Sequence, residues 1–212
     1  MLQYRTVNKK TLELLKKLML IDELKKFFLV GGTALALQLG HRISVDIDLF
    51  TQNNFCTKKL FIKLNSIFEI FDLNEENNTL NFNIIFPKNS NNIVKIDLIK
   101  YSYPLINPVL EIEKIRLLSI EDIIPMKLSA IAGRGSKKDF YDIFCLLKFC
   151  SIDKMFFFFK KKFPNTNEFH ILKSLTYFRD AEIEPSPQMI EKINWNIVKT
   201  KITNETNRYL NK

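Results

Sequence analysis

Asp46-Ile47-Asp48 is the segment of this 212-residue chain whose residue types and spacing most clearly suit chemistry. In an extended strand residues two apart point to the same face, which sets the two carboxylates roughly 5 to 7 Å apart. At an effective dielectric near 20, like charges at that spacing repel by about 3 kcal/mol. Val45, Ile47 and Leu49 are expected to face the opposite way into a core, so the pair has little room to separate. A bound divalent cation reverses the sign of the interaction, and the pair is therefore a candidate metal site. Upstream, Gly31-Gly32 reads as a turn from a strand into a helix. Glycines there permit close backbone approach and leave N–H groups free at a helix N-terminus, an arrangement suited to a triphosphate. Thr33 and Ser44 add hydroxyl donors nearby. Surface strands also carry alternating carboxylates for solubility, so the glycine turn is what raises this Asp-x-Asp above a solvated strand.

The elements that must position these residues follow from apolar periodicity. Leu12, Leu14, Leu15, Leu18, Met19 and Leu24 recur at helical spacing between Lys9 and Lys26, predicting an amphipathic helix. Phe27 to Val30 reads as a short strand, and Thr33 to Leu39 as a buried helix whose first turn begins at the glycines. Gly40-His41-Arg42 breaks that helix, with His41 as a turn residue. Ser44 to Thr51 then reads as the strand carrying Asp46 and Asp48, and Lys58 to Phe68 as another amphipathic helix. Leu80 to Phe86 and Ile93 to Ile99 form two antiparallel strands joined through Pro87 to Asn92. In the second, Val94, Ile96 and Leu98 share one face while Lys95, Asp97 and Ile99 share the other. Asp97 is thus a candidate third carboxylate or, on the plainer reading, a strand-end carboxylate paired with a lysine.

From about Glu111 the periodicity is helical almost to the end, with breaks at Gly133 to Gly135, Pro164 and Pro185 to Pro187, which places a domain boundary near residue 110 (residues 1–110 and 111–212). Lys127 and Arg134, seven apart, share one face of a helix over 121–132 and are candidates to clamp phosphates. Met126, Leu128 and Ile131 leave Lys127 only partly exposed. Lys138, Asp139 and Asp142 lie along one edge of the next helix; by residue type alone they read as an acidic first turn with a Lys138–Asp142 pair, worth about 0.3 to 1 kcal/mol. The run Met155 to Phe163 must turn some phenylalanines to a core and others to a partner or neighbouring helix. Trp195 reads as packing.

Composition bounds the rest. A net charge of +9 favours a polyanionic partner, nucleic acid or nucleotide before an acidic membrane surface, although a lysine-rich solvated surface and an AT-rich coding sequence account for the same excess. Three cysteines and two histidines exclude a disulfide framework and a zinc ribbon, and point to a reduced, cytoplasmic protein. No stretch approaches about 18 consecutive apolar residues, so neither a membrane span nor export is expected. With 19 Phe against 5 Gly and 7 Pro, a sizeable core is expected and long glycine-rich loops are not.

Gly31-Gly32-Thr33 followed by Ser44-Val45-Asp46-Ile47-Asp48 resembles the nucleotidyltransferase superfamily of DNA polymerase beta. More narrowly, Gly31 to Arg42 leading into Ser44 and the aspartates is similar to the AbiEii/AbiGii toxin family, as are Asp122 to Leu128, Arg134-Gly135, Lys138 to Ile143, and Asp180-Ala181-Glu182 before Pro185 and Pro187. The resemblance implies an α/β (α+β) fold: a mixed nucleotidyltransferase sheet flanked by helices, with a helical C-terminal region completing a nucleotide cleft. It implies a magnesium-dependent enzyme, with manganese as the substitute ion, that moves a nucleoside monophosphate from an NTP to an acceptor and releases pyrophosphate. The implied roles are metal binding for Asp46, Asp48 and Asp97, catalysis for these three with Lys127 and Asp139, and nucleotide binding for Gly31, Gly32, Thr33, Ser44, Arg134 and Lys138. Family members differ in whether the third carboxylate is used. The implied partners are an RNA acceptor, with the tRNA 3′ end the most specific expectation, and a cognate antitoxin. A non-catalytic nucleotide- or RNA-binding module, or an enzyme that modifies protein, would use the same residues.

Overall fold

Alternating burial along three neighbouring strands sets the architecture around the carboxylates. The computed structural model describes residues 1–211, arranged as two compact units: residues 1–40, 44–103 and 108–118 in the first, and 41–43, 104–107 and 119 onward in the second. Helix α1 (Lys9–Met19) opens the first unit, with Asn8 as its N-cap accepting from the Lys10 amide. Its predicted continuation to Lys26 gives way to a 3-10 turn at Asp22–Leu24. Then come β1 (Phe28–Leu29), α2 (Gly31–Leu39), β2 (Ile47–Thr51), α3 (Thr57–Asn65), β3 (Glu69–Glu76), β4 (Thr79–Ile85), β5 (Ile93–Lys100), β6 (Leu110–Ile112) and β7 (Ile115–Leu117). Among the described residues these strands form one mixed sheet in the order β3-β4-β5-β2-β1-β7-β6.

An antiparallel β1–β2 pair lies at its centre, flanked by the parallel pairs of β2 with β5 and of β1 with β7, and antiparallel pairs complete the sheet on both sides. Ile47 and Leu49 of β2, Leu80, Phe82 and Ile84 of β4, and Val94, Ile96 and Leu98 of β5 are buried, so the sheet turns one apolar side to the core. Helix α1 packs on β7, α2 on β2, and α3 on β3 and β4. Arg116 of β7 ties α1 to the sheet by donating to the carbonyls of Met19, Leu24 and Phe27.

The second unit is helical: α4 (Ile120–Gly133), α5 (Lys137–Leu146), α6 (Ile152–Lys162), α7 (Glu168–Leu175), α8 (Arg179–Glu182) and α9 (Trp195–Leu210). Helix α4 packs against α5, α6 and α7, while α9 packs against α5, α6 and α7. Met155, Phe156 and Phe159 of the phenylalanine-rich run are buried, Phe156 stacking on Tyr209, whereas Phe157 faces outward. Trp195 is packing, as expected, against Phe140, Tyr141 and Phe178. The fully buried Lys162 places Nζ 2.7 Å from Asp122 and donates to the Pro104 carbonyl, and Asp122 also accepts from the Ile106 and Asn107 amides. That network pins residues 104–107 to the helices.

Three expectations are corrected. The helical region begins at Ile120, not near Glu111, because residues 110–117 pair as a hairpin in the sheet; the first unit accordingly runs to Leu118. Strand β3 was hidden by its polar composition, since it is exposed over most of its length. Strand β2 starts at Ile47 rather than Ser44, so Val45 lies outside the alternation and is exposed instead of entering the core. The protein is thus an α/β molecule with a mixed sheet, flanking helices and a helical C-terminal region. Among the described residues no helix is long and apolar enough to cross a membrane.

Candidate active site

In the first unit, strand register puts the carboxylates side by side. Asp48 on β2 is aligned with Asp97 on β5 in parallel pairing, and side-chain alternation sends both to the sheet face opposite Ile47, Leu49, Ile96 and Leu98. Lys95, two residues before Asp97, shares that face, as does Asn81, aligned with Asp97 from β4. Asp97 is held on both oxygens: Lys95 Nζ donates to Oδ2 at 2.8 Å and Asn81 Nδ2 donates to Oδ1 at 2.9 Å. That hydrogen bond is the main reason the Lys95 ammonium is held above its ordinary pKa; part burial opposes it, and the charges of Asp97, Asp48 and Asp46 add to it. One ammonium therefore answers three carboxylates. Asp97 is paired with a lysine, as the plainer reading of its position expected, and is aligned with Asp48 on the neighbouring strand.

The glycine turn presses against this patch. Val30 donates its N–H to the Asp48 carbonyl at 2.9 Å, and Gly31 follows with φ +66, a left-handed conformation that disfavours a side chain. A Cβ on Gly31 would stand 2.5 Å from Asp48 Oδ2, so the space also requires glycine. Gly31 and Gly32 open α2, whose first-turn amides have no acceptor within the helix. Thr33 and Ser44, expected as ligand donors, are buried and engaged with the protein itself. The Thr33 hydroxyl donates to the Asp46 carbonyl and lies 2.9 Å from Ser44 Oγ, while the Ser44 amide donates to the Thr6 carbonyl. They hold the chain that leads to Asp46. The structure thus gathers Gly31, Asp48 and Asp97 at one place, with Asp46 anchored beside them. Among the described residues no three His, Cys, Asp or Glu side chains converge on a single ion-sized point.

In the second unit Lys127, Arg134 and Asp139 meet in a buried charge cluster. Lys127 is more deeply buried than its partly apolar surroundings implied; its Nζ lies 3.0 Å from Asp139 and 2.6 Å from Asp142. Arg134, mostly exposed, grips Asp139 through Nε and Nη2 at 2.7 and 3.0 Å. Asp142 is fully enclosed and does not pair with Lys138 as its helical spacing suggested. Arg42 takes it in a two-pronged grip at 2.6 and 2.9 Å, and His41 Nε2 lies 2.7 Å away, so with the carboxylate ionised Nε2 carries the hydrogen. Burial pushes both carboxyls up, but the cations outweigh it. Lys127 and Arg134 hold Asp139 below the usual range, and Lys127, Arg42 and His41 hold Asp142 well below it. Lys138 is half-buried on α5 beside this cluster in sequence.

Three members of these sites, Lys95, His41 and Arg42, were not singled out by the sequence as site residues. Lys95 was detectable, since residues i and i+2 of a strand share a face with the neighbouring carboxylate. His41, read as a turn residue, and Arg42 are anchored in the second unit, Arg42 bridging to Met189 and His41 accepting from the Ile190 amide. Only tertiary structure reveals that. Asp142 was seen, but its partners were not.

The model for the family described as nucleotidyl transferase AbiEii toxin, type IV TA system, matches residues 13–208. The Aquifex aeolicus (strain VF5) protein aq_aa25, itself uncharacterized, is 34% identical over 207 aligned residues, covering 89% of this chain and 94% of that protein. Among solved structures, JHP933 from Helicobacter pylori superposes with a TM-score of 0.60 at 17% identity, covering 95% of this chain and 92% of that one. MenT4, the nucleotidyltransferase toxin Rv2826c of Mycobacterium tuberculosis H37Rv, does so with a TM-score of 0.58 at 13% identity, covering 97% and 88%. These two likenesses show a shared fold, and the family match, spanning the glycine turn, the aspartates and the Lys127 to Asp142 segment, gives the fold its lineage: the chain belongs to the AbiEii nucleotidyl transferase toxin family.

Proposed function

We propose that this protein is an active nucleotidyltransferase that moves a nucleoside monophosphate from an NTP to RNA, with the tRNA 3′ end as the first candidate acceptor, and acts as the toxin of a toxin–antitoxin pair. The observation that carries the reading is the register of Asp48 against Asp97 beside the Gly31 turn, with Asp46 on the segment held by Thr33. In the reaction the acceptor hydroxyl oxygen bonds to the α-phosphorus, the bond from that phosphorus to the bridging oxygen breaks, and pyrophosphate leaves. In this reading Asp97 takes the hydroxyl proton, a role supported by its alignment with Asp48 across β2 and β5. The first-turn amides of α2 are suited to phosphate oxygens, and the absence of a side chain at Gly31 keeps that approach open.

The donor set fits magnesium or manganese. Carboxylate oxygens are hard ligands, and magnesium is commonly held by one or two carboxylates while phosphate and water complete its shell. Asp46 and Asp48 would hold it, with Asp97 adjacent. Bound there, the ion would supply charge neutralisation for the triphosphate and lower the pKa of the attacking hydroxyl. The net charge of +9 favours an RNA acceptor over an acidic small molecule. Within the second unit, Arg134 and Lys138 are the cations that the family resemblance assigns to the nucleotide and Lys127 the one it assigns to catalysis, and Asp139 is the carboxylate paired with Lys127 and Arg134.

Purified protein with magnesium or manganese, each labelled NTP in turn and total RNA tests the proposal. Label should enter RNA with one preferred NTP and disappear in Asp46→Ala. Absence of label from RNA under either metal, with Asp46→Ala indistinguishable from wild type, refutes it. Label entering protein instead identifies a side-chain acceptor.

A further inference from the structure

Lys95 is unused by the reaction just described, yet it occupies the centre of the acidic patch. Its Nζ is 2.8 Å from Asp97 Oδ2, and the strand register fixes its other neighbours. Asp97 is aligned with Asp48, Lys95 shares their sheet face, and Asp46 lies just before β2 begins, close enough for its charge to act on Lys95: three anions are grouped around one cation. Asn83, aligned with Lys95 on the far side, brings no charge. The ammonium is where the attraction of the three carboxylates is concentrated, which is also where a divalent ion would be drawn. At 55% side-chain exposure Lys95 is able to swing into solvent without opening the core.

We infer that Lys95 is a built-in counter-ion: it holds the carboxylate patch in the metal-free protein and must be displaced from Asp97 when a divalent cation enters. The inference rests on the metal-binding reading of Asp46 and Asp48. Three unbalanced carboxylates would repel one another and distort β2 and β5; the lysine relieves this and keeps the site formed. In return it opposes the incoming ion, so metal alone binds weakly. On displacement its ammonium is free to meet a phosphate oxygen, which couples metal entry to nucleotide entry.

Mn2+ titration of the whole protein without nucleotide, followed by loss of the free-ion electron paramagnetic resonance signal, tests this directly. A unit charge a few ångströms from a divalent ion at a solvated edge opposes its binding by about tenfold. Lys95→Met should therefore bind Mn2+ about tenfold more tightly than wild type, while Lys95→Arg, which keeps the charge, should stay close to wild type. If Lys95→Met binds Mn2+ no more tightly than wild type and Asp48→Asn still abolishes binding, the counter-ion role is overturned and the carboxylate site stands. If neither wild type nor Lys95→Met binds Mn2+ and added triphosphate does not rescue binding, the metal site and the counter-ion role fall together.

Discussion

Gly31→Ala tests the central geometry because two independent effects act at one atom. The φ of +66 places an alanine in the left-handed region, which costs about 1 to 2 kcal/mol. The new methyl would sit 2.5 Å from Asp48 Oδ2, and contacts below 3.0 Å essentially do not occur, so the carboxylate must retreat by about half an ångström or the turn must open. For a chain of this size, 1 to 2 kcal/mol lowers Tm by about 2 to 8 °C. Misplacement of a reacting group by around an ångström costs up to about a hundredfold in rate, so transfer should fall about ten- to a hundredfold even at temperatures where the variant is fully folded. Gly133→Ala is the control: at the end of α4 a Cβ meets nothing within 4 Å, and the substitution should raise stability by up to about 1 kcal/mol with the rate unchanged. Thermal unfolding by circular dichroism and labelled-nucleotide transfer read the two effects separately. If Gly31→Ala melts with wild type and transfers at the wild-type rate, the turn does not position Asp48 and the argument from close approach is wrong.

Further expectations concern single charges. Asp48→Asn should lose about 10²- to 10³-fold in transfer without a fall in Tm, because it removes an anion from a patch that already has too many; a lowered Tm would make Asp48 a structural residue. Asp142→Asn strips the counter-charge from the buried Arg42 and Lys127 and should cost about 3 to 5 kcal/mol in urea unfolding, whereas a loss under 1 kcal/mol would mean the cluster is wetter than its enclosure indicates. Asp139 and Asp142 both have carboxyl pKa values depressed by folding, so the unfolded chain takes up their protons first: the stability they contribute is complete above the unfolded value near 4 and drains away as pH falls below it. Urea midpoints measured from pH 6 to pH 3 should drop for wild type and drop less for Asp142→Asn.

What could be read from the sequence was whatever depends on local periodicity. Alternation alone placed Ile96 and Leu98 on one face and Lys95 and Asp97 on the other, and the apolar spacing of α1 and the glycine start of α2 were equally direct. Failures came where local pattern and tertiary context part. Residues 110–117 carry too few residues per strand to show a period, and become strands because β7 finds a parallel partner in β1. Strand β3 is polar along most of its length, and only pairing with β4 makes it a strand. A short or two-sided strand has no pattern to read, since its hydrogen bonds are made with residues far away in the chain.

The same distinction separates the two charge clusters. Asp48 and Asp97 become neighbours through register, and register is quantised: a slip of one residue would send Asp97 to the core face and Ile96 and Leu98 out of it, so burial of the apolar face selects the pairing that brings the carboxylates together. The acidic patch is therefore nearly forced once β2 and β5 are known to pair. No such rule brings Arg42 and His41 to Asp142, a hundred and more residues apart in chain order. Asp46 lies between these cases: it precedes the strand, which begins only at Ile47, and is held through its own carbonyl, which accepts from the Thr33 hydroxyl, while the Ser44 amide two residues earlier donates to the Thr6 carbonyl.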